Sequence, residues 1–221
     1  MEHKAPHRTR ERILDRALRL FNEFGEPNVT TTAIAEELKI SPGNLYYHFR
    51  NKDDIVNSLF TAFDEELQSM TSARADRRLD IEDIWLYVRL TFELVWRYRF
   101  FFRDLNDLLS RNRRLETYFK QILAHTIQVA TQLCMGLRRD DALEATDLEI
   151  DAIATNMAVI CVYWLSFEYV QNPRKYSEKH AVSEALARGT YQVLSLTAPY
   201  LRGDARLGFK KLASERFGAI S

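Results

Sequence analysis

Turn residues, strand-like alternation and paired cysteines are all scarce in this chain. It has seven glycines and five prolines in 221 residues, too few for the turns of a sandwich or a barrel, and no useful length alternates apolar with polar residues. That leaves an all-α chain. Cys134 and Cys161 stand singly among apolar neighbours with no C-x-x-C and no nearby histidine, so neither a zinc site nor a disulfide framework is encoded. They read as buried thiols unless the fold brings them together. The N-terminus has no signal-peptide pattern, and the longest wholly apolar run, Met157 to Leu165, is too short to cross a bilayer. A cytoplasmic protein is expected. Catalytic signatures are missing as well: neither H-E-x-x-H nor G-x-S-x-G occurs, and Gly203 and Gly208 are followed by Phe209 and Lys210 where a phosphate loop needs lysine and a hydroxyl. His48, His125 and His180 fall on different predicted helices. No enzyme activity, cofactor or metal is expected. Net charge is formally zero, so any contact with nucleic acid has to be placed locally.

Chemistry is concentrated in one stretch, Ser41 to Lys52, which reads S-P-G-N-L-Y-Y-H-F-R-N-K. Ser41 suits a helix cap and Pro42 the first turn. Gly43 permits close backbone approach, and the Asn44 amide can address a base edge. Leu45 and Phe49, four residues apart, would pin this helix to a core while Tyr46, Tyr47 and His48 meet phosphate or base. Asn51 is placed to cap the next helix, with Lys52 at its start aimed outward. Taken alone, the same residues describe a surface helical hairpin with two ordinary tyrosines.

The preceding segment narrows the reading. Ile13, Leu14, Ala17, Leu18, Phe21 and Phe24 give one apolar face to a helix from Arg8 to Phe24, closed by Gly25. Thr30 and Thr31 then offer a cap for T-T-A-I-A-E-E-L, whose Ile34, Ala35 and Leu38 can pack on that helix. Only a few residues separate it from the Ser41 helix, the spacing of a helix-turn-helix whose second helix reads the major groove. Met1 to Arg12 carries Lys4, Arg8, Arg10 and Arg12; it is either a basic arm along the duplex or a solvated terminus.

Between Arg10 and Leu59 the order of a long helix, T-T-x-x-I-A-E-E-L and S-P-G-N-L-Y-Y-H-F-x-N-K resembles the DNA-binding domain of the tetracycline-repressor (TetR) family of bacterial transcriptional regulators. The resemblance implies base-edge contacts from Gly43 and Asn44, and phosphate contacts from Thr31, Ser41, Tyr46, Tyr47, His48 and Lys52. It implies residues 1–52 as a helix-turn-helix domain and residues 53–221 as a helical effector-binding and dimerisation domain. The expected function is a ligand-responsive, sequence-specific regulator, a repressor released from a roughly palindromic operator by a small apolar effector. An all-α apolar-ligand carrier or a protein-interaction module without DNA binding are the competing readings, and neither has use for Gly43, Asn44, Tyr47 and Lys52 together on an exposed helix.

Beyond Leu59 the pattern stays helical. Ile55, Val56, Leu59, Phe60, Phe63, Leu67 and Met70 mark a long fourth helix. Asp80 can cap a helix reaching Tyr98; a short one follows near Phe101 to Leu109, and a longer one spans Leu115 to Leu137. Two late helices are loaded with apolar residues. Ile153, Met157 and Trp164 on one, with Val182, Leu186, Gly189, Val193 and Leu196 on the other, suit a homodimer built by pairing these helices with their symmetry mates, which the resemblance also implies. The middle is rich in aromatics. Trp85, Phe92, Trp96, Phe101, Tyr118 and Phe119, with His125 nearby, either fill a core or line the effector cavity.

Overall fold

The structure, a computed structural model, describes residues 4–72, 80–173 and 179–217. Its elements are α1 (Lys4–Phe24), a 3₁₀ turn (Glu26–Asn28), α2 (Thr31–Glu37), α3 (Pro42–His48), α4 (Lys52–Ser72), α5 (Ile81–Arg97), α6 (Arg99–Arg103), α7 (Leu105–Arg111), α8 (Arg113–Arg139), α9 (Asp147–Gln171), α10 (Lys179–Ser195) and α11 (Gly203–Phe217). Beside the helices, an isolated antiparallel bridge joins Leu143 and Leu201. The chain forms two compact units, one taking residues up to Glu66 together with Tyr98–Phe119, the other Leu67–Arg97 and the chain from Lys120 onward. A division at residue 52 is therefore not the structural one, because α6 and α7 return to the first unit.

In the first unit, Ile13, Ala17 and Phe21 of α1 are fully buried with Ile34 and Ala35 of α2 and Leu45 of α3. Phe24, expected on the same face, is 54% exposed. Gly25 ends α1 at φ 87, a left-handed conformation that any side chain would strain. Ser41, Thr30, Asn51 and Asp80 each accept the backbone N–H three residues on, from Asn44, Ala33, Asp54 and Asp83, as their positions in the sequence predict. The short helix expected near Phe101 to Leu109 is instead two, α6 and α7, which grip the end of α1. Phe100 N–H donates to Asn22 Oδ1 at 3.1 Å, and Arg103 donates to the carbonyls of Phe21 at 2.9 Å and Asn22 at 3.4 Å. Carbonyls at a helix end have no partner within the helix, so a guanidinium there satisfies them.

The second unit is built on α9. Thr146 and Glu149 close a reciprocal capping box at its start; those bonds, first to the Thr146 backbone and then to its hydroxyl, hold the Glu149 carboxyl below its ordinary value. By length and hydropathy α9 could cross a bilayer, but its Ile150, Ala154, Met157 and Ala158 are buried in the core shared with α5 and α10. Gly189 of α10 shows how closely these helices meet. A Cβ there would fall 2.7 Å from the Trp164 ring and 2.9 Å from Phe92, and the Trp164 indole donates to the Ala185 carbonyl at 2.7 Å. α11, within the stretch expected to be helical but not delimited from sequence, stacks Phe209 on Tyr191 with ring centroids 6.0 Å apart.

Candidate functional site

The surface of α2 and α3 carries most of the expected reader residues. Leu45 and Phe49 are buried, which turns Gly43, Asn44, Tyr46 and Tyr47 to solvent, Tyr47 with 79% of its surface free. Thr31 and Tyr46 join the two helices through a hydroxyl pair at 3.0 Å. The half-buried His48 meets the Tyr47 ring edge-on at 5.1 Å. Ser41 is exposed, its hydroxyl oxygen already engaged as the cap. A Cβ on Gly43 would meet only Ser41 Oγ, at 3.9 Å. Nothing inside the protein therefore requires a glycine there, and the bareness faces outward.

The basic residues around this surface are used differently from the sequence expectation. Met1 to His3 of the proposed arm lie outside the described residues, and the chain is helical from Lys4. Arg10 donates to Ser58 Oγ at 2.9 Å and lies over the Phe49 ring at 4.9 Å, so it braces the end of α3 instead of extending from it. Lys52 is the clearest correction. Expected to aim outward, its ammonium points inward, 3.1 Å from the carboxylate of the fully buried Glu26, and donates to the carbonyls of Glu26 at 3.0 Å and Val29 at 3.1 Å. A buried carboxylate needs a cation, and Glu26 draws in both Lys52 and Arg111. Burial opposes the Arg111 charge, but Glu26 and Asp107 outweigh it and hold the guanidinium above its ordinary value.

The aromatic middle does not form one pocket. Phe101, Tyr118 and Phe119 pack around Phe60 with centroids 5.3, 6.4 and 6.2 Å away, Phe101 and Phe119 buried in the core of the first unit and Tyr118 exposed at its rim. Trp85 and Phe92 are buried in the core of the second unit. Trp96 lines a solvent-open cleft with Trp164, Phe167 and Arg188. His125 has a buried Nε2 without a hydrogen-bond partner.

An apolar cavity lies elsewhere in the second unit. It has a volume of about 40 Å³ and is walled by Leu67, Ile84, Tyr87, Val88, Leu133, Met157 and Leu194, with Thr91, Thr126, Thr197 and both cysteines. No charged side chain among the described residues lines it. The threonine hydroxyls donate to the carbonyls of Tyr87, Ile122 and Leu194 at 2.9, 2.9 and 2.7 Å, so they offer a ligand acceptor lone pairs only. Burial pushes the Cys134 thiol up to about 11 and the Cys161 thiol up to about 12, so both stay protonated and unreactive near neutral pH. Aliphatic positions that recur on several helices gave no signal distinguishing this wall from ordinary core.

The residues expected at a dimer interface are largely internal. Ile153, Met157 and Val193 are buried in the core, and Met157 and Val193 line the cavity. Gly189 is buried against Trp164 and Phe92 of the same chain. Trp164, Val182, Leu186 and Leu196 are half-buried. Of the apolar side chains that α9 leaves exposed, which also include Leu148 and Tyr169, Val159, Tyr163, Phe167 and Val170 are spaced by three and four residues along one face. The stripe is one step around the helix from the expected one.

Comparison with known proteins extends the local resemblance to nearly the whole chain. Residues 13–59 match the family of bacterial regulatory proteins named for tetR, and residues 62–209 match its bacterial transcriptional repressor model. The transcriptional regulator AcrR of Shigella flexneri is 27% identical over 54% of this chain and 65% of its own length. UidR of Escherichia coli is 37% identical over 34% and 36% respectively, so the chain spans just under two thirds of one such relative and about a third of the other. Among solved structures, a TetR-family regulator from Marinobacter aquaeolei superposes with a TM-score of 0.85 at 33% identity, covering 94% of this chain and 98% of that one. A regulator from Saccharomonospora viridis in complex with choline shares the fold at a TM-score of 0.70 and 17% identity, covering 89% of this chain and 100% of that one. With family models matching on both sides of Leu59 and a relative of this identity aligned along almost its full length, the chain belongs to the TetR family of bacterial transcriptional regulators.

Proposed function

We propose that this protein is a ligand-responsive, sequence-specific DNA-binding regulator, acting in the cytoplasm as a repressor that leaves its operator when a small neutral effector binds. The observation that carries the reading is Gly43: an exposed glycine at the start of α3, with open space around it and Asn44 and Tyr47 exposed beside it. In this reading Gly43 and Asn44 meet base edges, while Thr31, Ser41, Tyr46, Tyr47 and His48 hold phosphates. Residues 1–52 read DNA, braced by α6 and α7 of the same unit, and the second unit takes the effector and dimerises. Val159, Tyr163, Phe167 and Val170 supply the apolar face for a second copy, and the operator is roughly palindromic because a two-fold dimer presents α3 twice.

The effector belongs in the apolar cavity, where no wall residue among those described carries a charge to compensate an ionised ligand. One protein of this fold was solved with choline and another is a gamma-butyrolactone receptor; the wall here suits the neutral kind. α4 begins at Lys52 and carries Leu67 of the cavity wall near its other end, so it is the covalent route between effector and reader. A ligand moves operator affinity only by its preference for one arrangement of the protein, commonly about 1 to 3 kcal/mol. The test is selection from random duplexes followed by sedimentation of the complex. A two-fold site bound by two chains supports the reading, and absence of any enriched sequence refutes it.

A further inference from the structure

Lys52 sits where the two ends of the reader come together. Its ammonium donates to the carbonyls of Glu26 and Val29, just before α2, while its own backbone starts α4, just after α3. These carbonyls take two of the three ammonium donors, and Glu26 Oε1 lies 3.1 Å away as an ion pair without a hydrogen bond. The Lys52 side chain keeps only 24% of its surface and Glu26 none. Arg111 of α7 pairs with the other oxygen of Glu26, and Asp104 accepts the Glu26 N–H at 3.2 Å. Turning Lys52 toward a phosphate would strip a buried carboxylate of one of its two cations, a costly exchange for one surface contact.

We propose that Lys52 acts in DNA binding as a positioning residue, tying the entry of α2 to the exit of α3 through Glu26 and Arg111, and is not a phosphate contact. This rests on the operator-binding reading. It makes a buried glutamate, and an arginine from a helix distant in sequence, part of what orients Gly43 and Asn44.

Charge gives the two roles opposite signs. If Lys52 bound phosphate, Glu26→Gln would free it and remove a negative charge, leaving operator binding unchanged or tighter. If Lys52 positions the reader, Glu26→Gln weakens binding. The experiment measures affinity of the full chain for a selected operator duplex over a range of salt, for Glu26→Gln, Lys52→Met and the two combined. The expected result is about a tenfold loss for each single change, little further loss in the combination, and a salt slope for the charge-neutral combination equal to that of the unsubstituted chain. Tight binding by Glu26→Gln, or a slope reduced by about one per half-site in the combination, overturns the proposal. Should Lys52→Met fail to fold, Arg111→Gln carries the test: weaker binding at unchanged slope supports positioning, and unaltered binding refutes it. If the unsubstituted chain selects no duplex, the operator reading is what fails, and a thermal-unfolding cycle on Glu26 and Lys52 still decides whether the two are coupled.

Discussion

Two glycines inside helices, Gly189 of α10 and Gly43 of α3, make opposite use of the same missing side chain. Gly189 is bare because Trp164 and Phe92 already occupy the place of its Cβ, at 2.7 and 2.9 Å; Gly43 is bare although nothing among the described residues comes nearer than Ser41 Oγ at 3.9 Å. The first serves packing inside the second unit. The second leaves room for something outside the first. The same contrast runs through the surrounding residues. Around Gly189 the polar atoms are spent internally, the Trp164 indole on Ala185 and Arg188 on Glu168 at 3.0 and 2.7 Å, whereas Asn44 and Tyr47 near Gly43 extend into solvent. A site made for a partner shows itself where packing gives no reason for the residue.

The largest expected effect tests whether the aromatic cluster is filled core. Phe63, buried and edge-on to Tyr98 and Phe102 at 5.5 and 5.7 Å, should cost about 3 to 5 kcal/mol of stability on Phe63→Ala; denaturant unfolding measures it, and a loss below about 1 kcal/mol would mean a loosely packed pocket. Next comes the exposed glycine. Gly43→Leu should lower operator affinity on the order of 100-fold, since an added side chain at the base edge costs an overpacking penalty in each half-site, yet move the melting midpoint hardly at all. Gly189→Ala should do the reverse, removing about 1 to 3 kcal/mol of stability while the folded fraction still binds DNA. If both changes act alike, the contrast between the two glycines is wrong.

A smaller effect concerns the cavity wall. Burial raises Cys161 from 9.0 to about 12, so above pH 9 the unfolded chain releases a proton that the folded chain keeps. Stability should therefore be complete below pH 9 and fall as pH rises toward 12, by on the order of 1 kcal/mol per unit for one such thiol. Cys161→Ala should flatten that alkaline slope, measured by urea unfolding at stepped pH. An unchanged slope would place the thiol in contact with water.

The reader was legible because its chemistry is local. Ser41, Asn44, Leu45, Tyr47 and Phe49 lie within a few turns, so helical spacing alone decides which face each takes. Lys52 was misread for the complementary reason: its direction is fixed by Glu26, 26 residues earlier, and by Arg111, 59 residues later, which no local pattern contains. The cavity was missed because a hollow is defined by what fails to fill it, and aliphatic positions such as Leu67, Val88 and Leu194 look the same whether or not they touch across a gap. The apolar load of α9 was read correctly, but its division between core and free face depends on where α5 and α10 pack.

The most direct test of the account is duplex selection with Asn44→Ala beside the unsubstituted chain. The expected result is a two-fold site for both, with the variant weaker by about 1 to 3 kcal/mol on the preferred duplex and indifferent at one base pair in each half-site. The same base preference at every position in the two selections would contradict base reading by α3.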